Sequence, residues 1–402
     1  MKHESAAAGP GLAEQEPATA RSPRPESSGA PGFAAVLAAF QARFETVLAE
    51  WLATRSSTLG GELAVGGELV DGVARLATAP AKRLRPALVH FTWRALAPAG
   101  APETGVLPLA LSTELLHTYL LIHDDVMDHA ELRRGRSSAH AEFAHRHRER
   151  GWGGEAAEFG VATAILLGDL AHTWAWERFQ AASGELAAGP RRDALAACFA
   201  AMAEEVIAGQ YLEIVLAQRG DGSAEELGQV LRLKSGRYSV ERPVQLGALY
   251  AAGAGGRDLD SRVLDALSRY GRALGEAFQL QDDVLGTFGE AGEVGKPVAG
   301  DLEEGKMTFL VYHALRDAAP EEAVRLRRAL GRKGLTGAEA EDARAILRGS
   351  GALEQVRQMV EERVAAARAA LAEAAAAGPG APRGDGLAFL SGMVDYLAER
   401  RR

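Results

Sequence analysis

Apolar residues recur at intervals of three and four positions along most of the chain, beginning at residue 33. An early stripe comprises Phe33, Leu37, Phe40, Phe44, Val47, Leu48 and Trp51, and a late one comprises Leu353, Val356, Val360, Val364 and Leu371. This spacing is the periodicity of an amphipathic α-helix, and no segment offers several of the alternating or β-branched runs that are typical of strands. The pattern therefore predicts an all-α fold.

Glycine and proline clusters interrupt the helical pattern and predict loops. The predicted loops are 97–102, 151–154, 220–223, 253–256, 289–300 and 378–386. None of them has the composition of a linker between domains, and no repeat of fixed period is present. The simplest organisation is a single large helical bundle formed by residues 33–402.

The first 32 residues differ from the rest of the chain. They are rich in Ala, Pro, Gly, Ser and Glu and contain no apolar run, so residues 1–32 are predicted to be a disordered tail. Their acidic residues argue against a secretory signal. No uninterrupted apolar stretch approaches the ~18 residues that a membrane span needs. We therefore expect a cytoplasmic protein without a transmembrane segment.

Composition narrows the classes of partner. Among 402 residues, 47% are hydrophobic, which is ample for a globular core. The formal net charge of −9 gives no general attraction to a polyanion, so any phosphate group must be met by a local basic cluster. Nucleic acid is not expected as a partner.

The densest chemistry lies in the run from Leu120 to Asp128, where three carboxylates fall within five residues. Asp124 and Asp128 are four positions apart on one helical face, and like charges at that spacing repel by a few tenths of a kcal/mol. A second acidic pair, Asp282-Asp283, ends another apolar helical segment. Two such clusters facing each other across a cavity would hold Mg²⁺ through oxygen and leave positions for substrate phosphates.

Basic residues are concentrated beside the acidic clusters. Lys82-Arg83-Leu84-Arg85-Pro86 precedes an apolar helix, and Arg133-Arg134 follows the first acidic cluster. Guanidinium and ammonium groups are natural ligands for phosphate oxygens. An isolated basic pair is more often a solvated helix end, but several pairs beside carboxylates favour two diphosphate sites, one with metal and one without.

These motifs resemble those of one family, the trans-isoprenyl diphosphate synthases, also called polyprenyl synthetases. The segment 124–128 with Leu132-Arg133-Arg134-Gly135 is similar to the family's first aspartate-rich motif, and Phe278-Gln279-Leu280-Gln281-Asp282-Asp283 is similar to the second. Other similar segments, in family order, are Lys82-Arg83-Leu84-Arg85-Pro86, Glu114-Leu115-Leu116-His117, Leu166-Leu167-Gly168-Asp169, Gly209-Gln210, Lys234, Gly295-Lys296-Pro297, Asp301-Leu302 and Gly305-Lys306. A lone DDxxD is weak evidence, but this ordered set is specific.

The resemblance implies an isoprenoid synthase fold, a homodimer, and condensation of isopentenyl diphosphate with an allylic prenyl diphosphate. It implies that about three Mg²⁺ ions are held by Asp124, Asp128 and Asp282, with Asp125 and Asp283 in support. Arg133, Lys234 and Lys296 would contact the allylic diphosphate. Lys82, Arg85, His117 and Arg134 would hold the diphosphate of isopentenyl diphosphate, and Gln279 would steady the carbocation or the leaving group.

The same resemblance bears on product length. In this family the residues just before the first motif form a floor that stops chain growth, and here they include one aromatic residue, Tyr119, followed by Leu120. That pattern is similar to synthases that stop at C20, geranylgeranyl diphosphate. Helical geometry alone does not supply this role, because Tyr119 lies about 140° from Asp124 on the helix. Plain core packing is the alternative for Tyr119.

Three positions depart from the family pattern. Pro80-Ala81 replaces two glycines, Gly286 stands where the second motif often has its last aspartate, and Glu213 stands where many members have aspartate. These departures leave open a weakened or non-catalytic partner subunit. Two further alternatives are a C15 farnesyl diphosphate synthase and a terpene cyclase of the same fold. The retained cations Lys82, Arg85 and Arg134 argue against a cyclase, which has no second diphosphate to bind.

Overall fold

The computed structural model describes residues 32–62, 66–133, 135–289 and 300–399. The predicted disordered tail, apart from Gly32, therefore lies outside the described residues. Two predicted diphosphate contacts, Arg134 and Lys296, also lie outside them.

Helices account for nearly all of the described secondary structure. They are α1 (Phe33–Glu62), α2 (Gly66–Ala77), α3 (Leu84–Leu96), α4 (Val106–Met127), α5 (Ala139–Glu149), α6 (Ala156–Ser183), α7 (Pro190–Arg219), α8 (Ala224–Val230), α9 (Arg242–Ala254), α10 (Ser261–Phe288), α11 (Gly300–Glu303), α12 (Phe309–Asp317), α13 (Pro320–Ala329), α14 (Gly337–Gly349), α15 (Ala352–Ala376) and α16 (Gly384–Glu399). Within the described residues, the strands are β1 (Leu132–Arg133) and β2 (Arg136–Ser137), paired antiparallel. The predicted all-α fold is confirmed.

The helices bury the apolar stripes that the sequence contains. Phe44 and Leu48 of α1 are fully buried, and so is Val356 of α15. Helix α4 packs along α6, and α10 packs along α15. Because α4 and α10 end in the two acidic clusters, the packing of these helices positions the acidic ends.

The described breaks between helices follow the glycine and proline pattern. Helix α7 ends at Gly220, whose φ of 69° is the left-handed conformation that glycine adopts without strain. The predicted loop 378–386 is wrong at its end, because α16 already begins at Gly384. Most of the predicted loop 289–300 lies outside the described residues.

Two helices among the described residues are long and apolar enough to cross a membrane by length and composition alone, so the absence of a transmembrane segment stays a prediction. They are α4 and α7, and 61% of the apolar window of α4 is buried inside the protein. A buried core helix passes the same test as a membrane span, because both are hydrophobic over many residues.

Between α8 and α9 the helix widens. Leu231–Glu241 form a π-helical segment of 11 residues, in which backbone hydrogen bonds join positions five apart. The all-α prediction includes this region, but the apolar periodicity does not indicate the change of winding. This segment carries Lys234.

Candidate active site

A cavity of about 490 Å³ opens between α4, α6, α7 and the π-helical segment. Polar side chains that the sequence predicted to bind substrate or metal border it: Arg85, His117, Asp124, Lys234 and Gln279. Apolar side chains form the remaining wall, among them Leu120, Val126, Ile165, Val206, Ile207 and Ile214. The structure therefore joins charged side chains and an apolar chamber in one cavity, the combination that an amphiphilic substrate requires.

The first acidic cluster lies at the end of α4. Asp124 borders the cavity, whereas Asp125 is buried and accepts a hydrogen bond of 2.6 Å from Arg133 Nε. Arg133 Nη2 also lies 3.5 Å from a carboxylate oxygen of Asp124. The contact with Asp125 thus holds Arg133 beside the acidic cluster without a bound phosphate.

Asp128 is the C-terminal cap of α4 and lies in a strongly acidic environment. Burial raises its pKa to about 7, and the nearby carboxylates of Asp124 and Glu304 add to the shift. Lys234 opposes that shift without cancelling it. Burial and the neighbouring carboxylates therefore both disfavour the charged form of Asp128, and a cation bound beside it would favour that form.

The second acidic cluster lies on α10. Asp283 is buried and accepts a 2.7 Å hydrogen bond from Gln279 Nε2, while Gln279 Oε1 accepts one of 2.9 Å from Ser235 Oγ. Burial raises the pKa of Asp283 to about 6, although Lys306, 3.7 Å away, acts in the opposite direction. Asp282 is half-buried beside it. Gln279 therefore links the acidic pair to the π-helical segment.

Glu213 of α7 lies between two lysines. It forms an ion pair with Lys234, and Lys306 Nζ lies 3.6 Å from its other oxygen. Burial alone would raise the pKa of Glu213, but the two ammonium groups lower it to about 2. In the sequence, Lys306 stands out only as part of the Gly305-Lys306 segment, because its contact with Glu213 joins residues far apart in the chain.

The cations expected to hold isopentenyl diphosphate divide into two groups. Arg85 Nη2 donates a 2.8 Å hydrogen bond to Ser239 Oγ, and His117 Nδ1 lies 3.2 Å from the hydroxyl of the buried Tyr238. Both therefore border the cavity through contacts with the π-helical segment. Lys82 does not border the cavity; its ammonium lies 5.6 Å from the centre of the Phe278 ring.

The segment around Pro80-Ala81 leads into a buried ion pair. Arg83 has a φ of 50° and a buried side chain that pairs with Glu114. Arg83 is thus engaged inside the protein, whereas Lys82 and Arg85 on either side remain partly exposed.

Gly286, the second departure, lies against a carboxylate from another segment. A Cβ atom placed on Gly286 would lie 2.9 Å from Asp301 Oδ2. The space beside Gly286 is therefore already acidic, although the aspartate comes from α11 and not from α10.

Tyr119 lies in the wall of the cavity among aromatic neighbours. Its ring is 4.8 Å from that of His123, one turn later on α4, and 4.8 Å from that of His172 on α6. Gly168 allows His123 to lie there, since a Cβ on Gly168 would be 2.1 Å from His123 Nε2. The Tyr119 ring is consequently in contact with one side chain of its own helix, α4, and one of α6.

The donor set fits Mg²⁺. All of the acidic side chains present hard oxygen ligands, the kind that Mg²⁺ prefers, and Asp124 lies close enough to Asp128 to raise the pKa of that carboxyl in addition to the effect of burial. Among the residues that the structure describes, no three acidic, histidine or cysteine side chains converge into a complete metal site. Mg²⁺ in phosphate sites is usually held by one or two carboxylates together with phosphate oxygens.

Comparison with known proteins identifies the family. A family model described as polyprenyl synthetase matches residues 68–347. The geranylfarnesyl diphosphate synthase of Aeropyrum pernix is 32% identical over 328 residues, covering 81% of this chain and 92% of that protein. The geranylgeranyl diphosphate synthase of Mycobacterium tuberculosis is 31% identical over 296 residues, covering 73% of this chain and 75% of that one.

A solved structure agrees with the sequence comparison. It is the geranylgeranyl pyrophosphate synthase from Corynebacterium glutamicum, complexed with isoprenyl diphosphate and magnesium. The match has a TM-score of 0.81 at 29% identity and covers 89% of this chain and 99% of the other. The family predicted from the motifs is therefore confirmed.

Proposed function

Since the chain belongs to the polyprenyl synthetase family, we propose that it condenses isopentenyl diphosphate with an allylic prenyl diphosphate to make a short all-trans product, geranylgeranyl diphosphate. The observation that carries this proposal is a cavity whose lining combines charged side chains with an apolar chamber. We propose residues 33–402 as the catalytic domain. The substrate class is inferred from the relatives, and the product length is inferred from Tyr119 in the cavity wall.

The reaction breaks the allylic C–O bond, and the bonding electrons leave with the diphosphate oxygen. The double bond of isopentenyl diphosphate then attacks the allylic carbon to form the new C–C bond, and the released diphosphate takes the proton that is lost. Developing negative charge on the leaving diphosphate must be stabilised by preorganised cations. Lys234 and Arg133 are the described cations placed to do so, beside Asp124.

We assign Asp124, Asp128 and Asp282 to hold Mg²⁺, with Asp125 and Asp283 in support. Bound Mg²⁺ supplies Lewis-acid stabilisation to the departing diphosphate. Arg85 and His117 hold the second diphosphate, and Gln279, which borders the cavity from α10, steadies the carbocation or the leaving group. The apolar wall excludes water, which would otherwise quench the allylic cation.

The proposal is tested by incubating the purified protein with Mg²⁺, isopentenyl diphosphate and each allylic primer in turn. Product length is read by chromatography after removal of the diphosphate. A C20 alcohol is the expected main product. A cyclised hydrocarbon, or no product until another subunit is added, would exclude the proposal.

Replacing Tyr119 by Ala is expected to lengthen the product by at least one five-carbon unit. Truncating a large aromatic side chain leaves a cavity that the surrounding helices fill only partly, so the growing chain gains room. The measurement is the chain-length distribution at a fixed substrate ratio. Tyr119→Phe, which keeps the ring between His123 and His172, should retain the wild-type length, and an unchanged spectrum in Tyr119→Ala would remove Tyr119 as the stop.

We also propose that the protein is a homodimer. Large apolar side chains are exposed on neighbouring parts of α6 and α7: Ile165, Leu166, Ile207 and Tyr211. Apolar side chains clustered at a protein surface mark interaction sites. Two copies of this chain would cover one another's patch through a two-fold axis.

Leu166→Lys is expected to weaken the homodimer by about 10-fold or more, because a charge would enter the centre of an apolar interface. Sedimentation equilibrium over a range of concentrations measures the effect. Val324→Lys is the matched control, since Val324 is also exposed but lies on α13. Equal dissociation of both variants would contradict the assignment of this patch.

A further inference from the structure

The π-helical segment contacts several helices through one face. Ser235 donates to Gln279 of α10, Tyr238 approaches His117 of α4, and Ser239 accepts from Arg85 of α3. Lys234 on the same face pairs with Glu213 of α7. Cations from both proposed diphosphate sites are thus supported by a single segment.

The winding of this segment decides whether that is possible. In an α-helix, positions five apart point about 140° away from each other. Lys234 and Ser239 are five apart, yet both border the same cavity. The wider π-helix, whose backbone hydrogen bonds join positions five apart, places the two side chains on the same side. Reversion to α-helical winding would turn Lys234 and Ser239 away from one another.

Glycines on α10 allow the wider helix to fit. A Cβ on Gly275 would lie 2.7 Å from Gly236 O, and one on Gly271 would lie 2.5 Å from Glu241 Cα. The backbone of α10 therefore packs directly against the π-helical backbone at two points. Such close approach fixes the position of the segment but leaves its winding to other contacts.

The side of the π-helical segment that does not border the cavity carries a buried ionic cluster. Glu241, the last π-helical residue, has a side chain that is only 4% exposed. It accepts two hydrogen bonds from Arg272 of α10, at 2.8 and 3.1 Å, and its carboxylate lies 3.7 Å from Arg237 Nε. Glu205 of α7 accepts hydrogen bonds from Arg237.

We propose that Glu241 is a positioning residue that holds the π-helical winding through Arg272, and thereby keeps Lys234 and Ser239 on one face. The inference rests on the proposed function, since it concerns the two diphosphate sites. Glu241 does not border the cavity. Its effect on substrates is therefore transmitted through the helix.

The test is a double-mutant cycle between Glu241→Gln and Ser239→Ala, whose side chains are on opposite faces. Each substitution is expected to raise KM for isopentenyl diphosphate by about 5-fold. Ser239→Ala removes the hydrogen bond that orients Arg85, and Glu241→Gln weakens the contact with Arg272 that keeps Ser239 in place. The double variant should also show about 5-fold, because both changes release the same arginine. KM for the allylic substrate should change less in Ser239→Ala than in Glu241→Gln.

A second measurement does not depend on activity. Amide hydrogen exchange without substrate should accelerate across residues 231–241 in Glu241→Gln. Glu373→Gln is the matched control, because it removes an exposed carboxylate that pairs with Arg269 on the same helix, α10. It should leave both KM values and the exchange of residues 231–241 unchanged.

A purely structural role would lower the unfolding midpoint and leave both KM values and the exchange pattern as they are, which would overturn the inference. KM effects that multiply in the double variant would overturn it as well. If the wild-type protein formed no prenyl product, the proposed function and this inference would fail together. An active wild type with an unaltered Glu241→Gln variant would reject only the inference.

Discussion

Asp124→Asn is expected to lower kcat by about 10³-fold while the protein stays folded. Asp124 borders the cavity at the end of α4, with Lys234 Nζ 3.6 Å away and Arg133 Nη2 3.5 Å away. An amide has nearly the same shape but lacks the charge that holds Mg²⁺ against a diphosphate. Loss of transition-state charge stabilisation of this kind costs orders of magnitude in rate.

The measurement is single-turnover condensation at saturating substrates over a range of Mg²⁺ concentrations. Asp265→Asn is the control, because Asp265 is exposed on α10, the helix that carries Asp282. Asp265→Asn should behave as the wild type. Full activity of Asp124→Asn at the wild-type Mg²⁺ requirement would refute the assignment of Asp124 as a metal ligand.

Lys306→Met is expected to reduce both activity and stability. Lys306 lies 3.6 Å from Glu213 and 3.7 Å from Asp283, and burial that would lower its pKa is outweighed by these carboxylates, which raise it. Methionine keeps the length of the side chain and removes the charge. Glu213 would then have only Lys234 to offset its charge, and Asp283 would lose its nearby cation.

We expect a loss of about 2 kcal/mol in the free energy of unfolding, below the value for a fully buried pair because Lys306 keeps 23% of its side chain exposed. We expect a fall in kcat of about 100-fold, because Glu213, which pairs with Lys234, and Asp283, which accepts from Gln279, would lose the cation that holds them in place. Urea unfolding and initial rates measure the two effects. Lys333→Met, at an exposed lysine, is the control; identical behaviour of the two variants would contradict the role of Lys306.

The helices were predictable because their signal is local. The stripe that begins at Phe33 reports which face of α1 is buried, and Phe44 and Leu48 are indeed fully buried. The acidic clusters were recognisable for a similar reason, since Asp124 and Asp128 are close in the chain. Both conclusions depend on intervals of only a few residues.

The contacts between distant segments were not predictable in this way. Nothing in the spacing of Glu213 indicates that its carboxylate lies between Lys234 and Lys306. The bracing of Tyr119 by His172 likewise depends on how α6 packs along α4. These pairings follow from tertiary packing, which a single sequence does not display.

By itself the sequence determined an all-α chain, two acidic clusters at helix ends and the family to which those motifs belong. The tertiary structure decided which charges meet, where the apolar chamber lies and how Leu231–Glu241 winds. The physical reason is the sequence separation of the interacting residues, because helical periodicity depends on neighbours a few residues apart. The pairing of Glu241 with Arg272 and the alignment of Lys234 with Ser239 exist only when separate helices pack together.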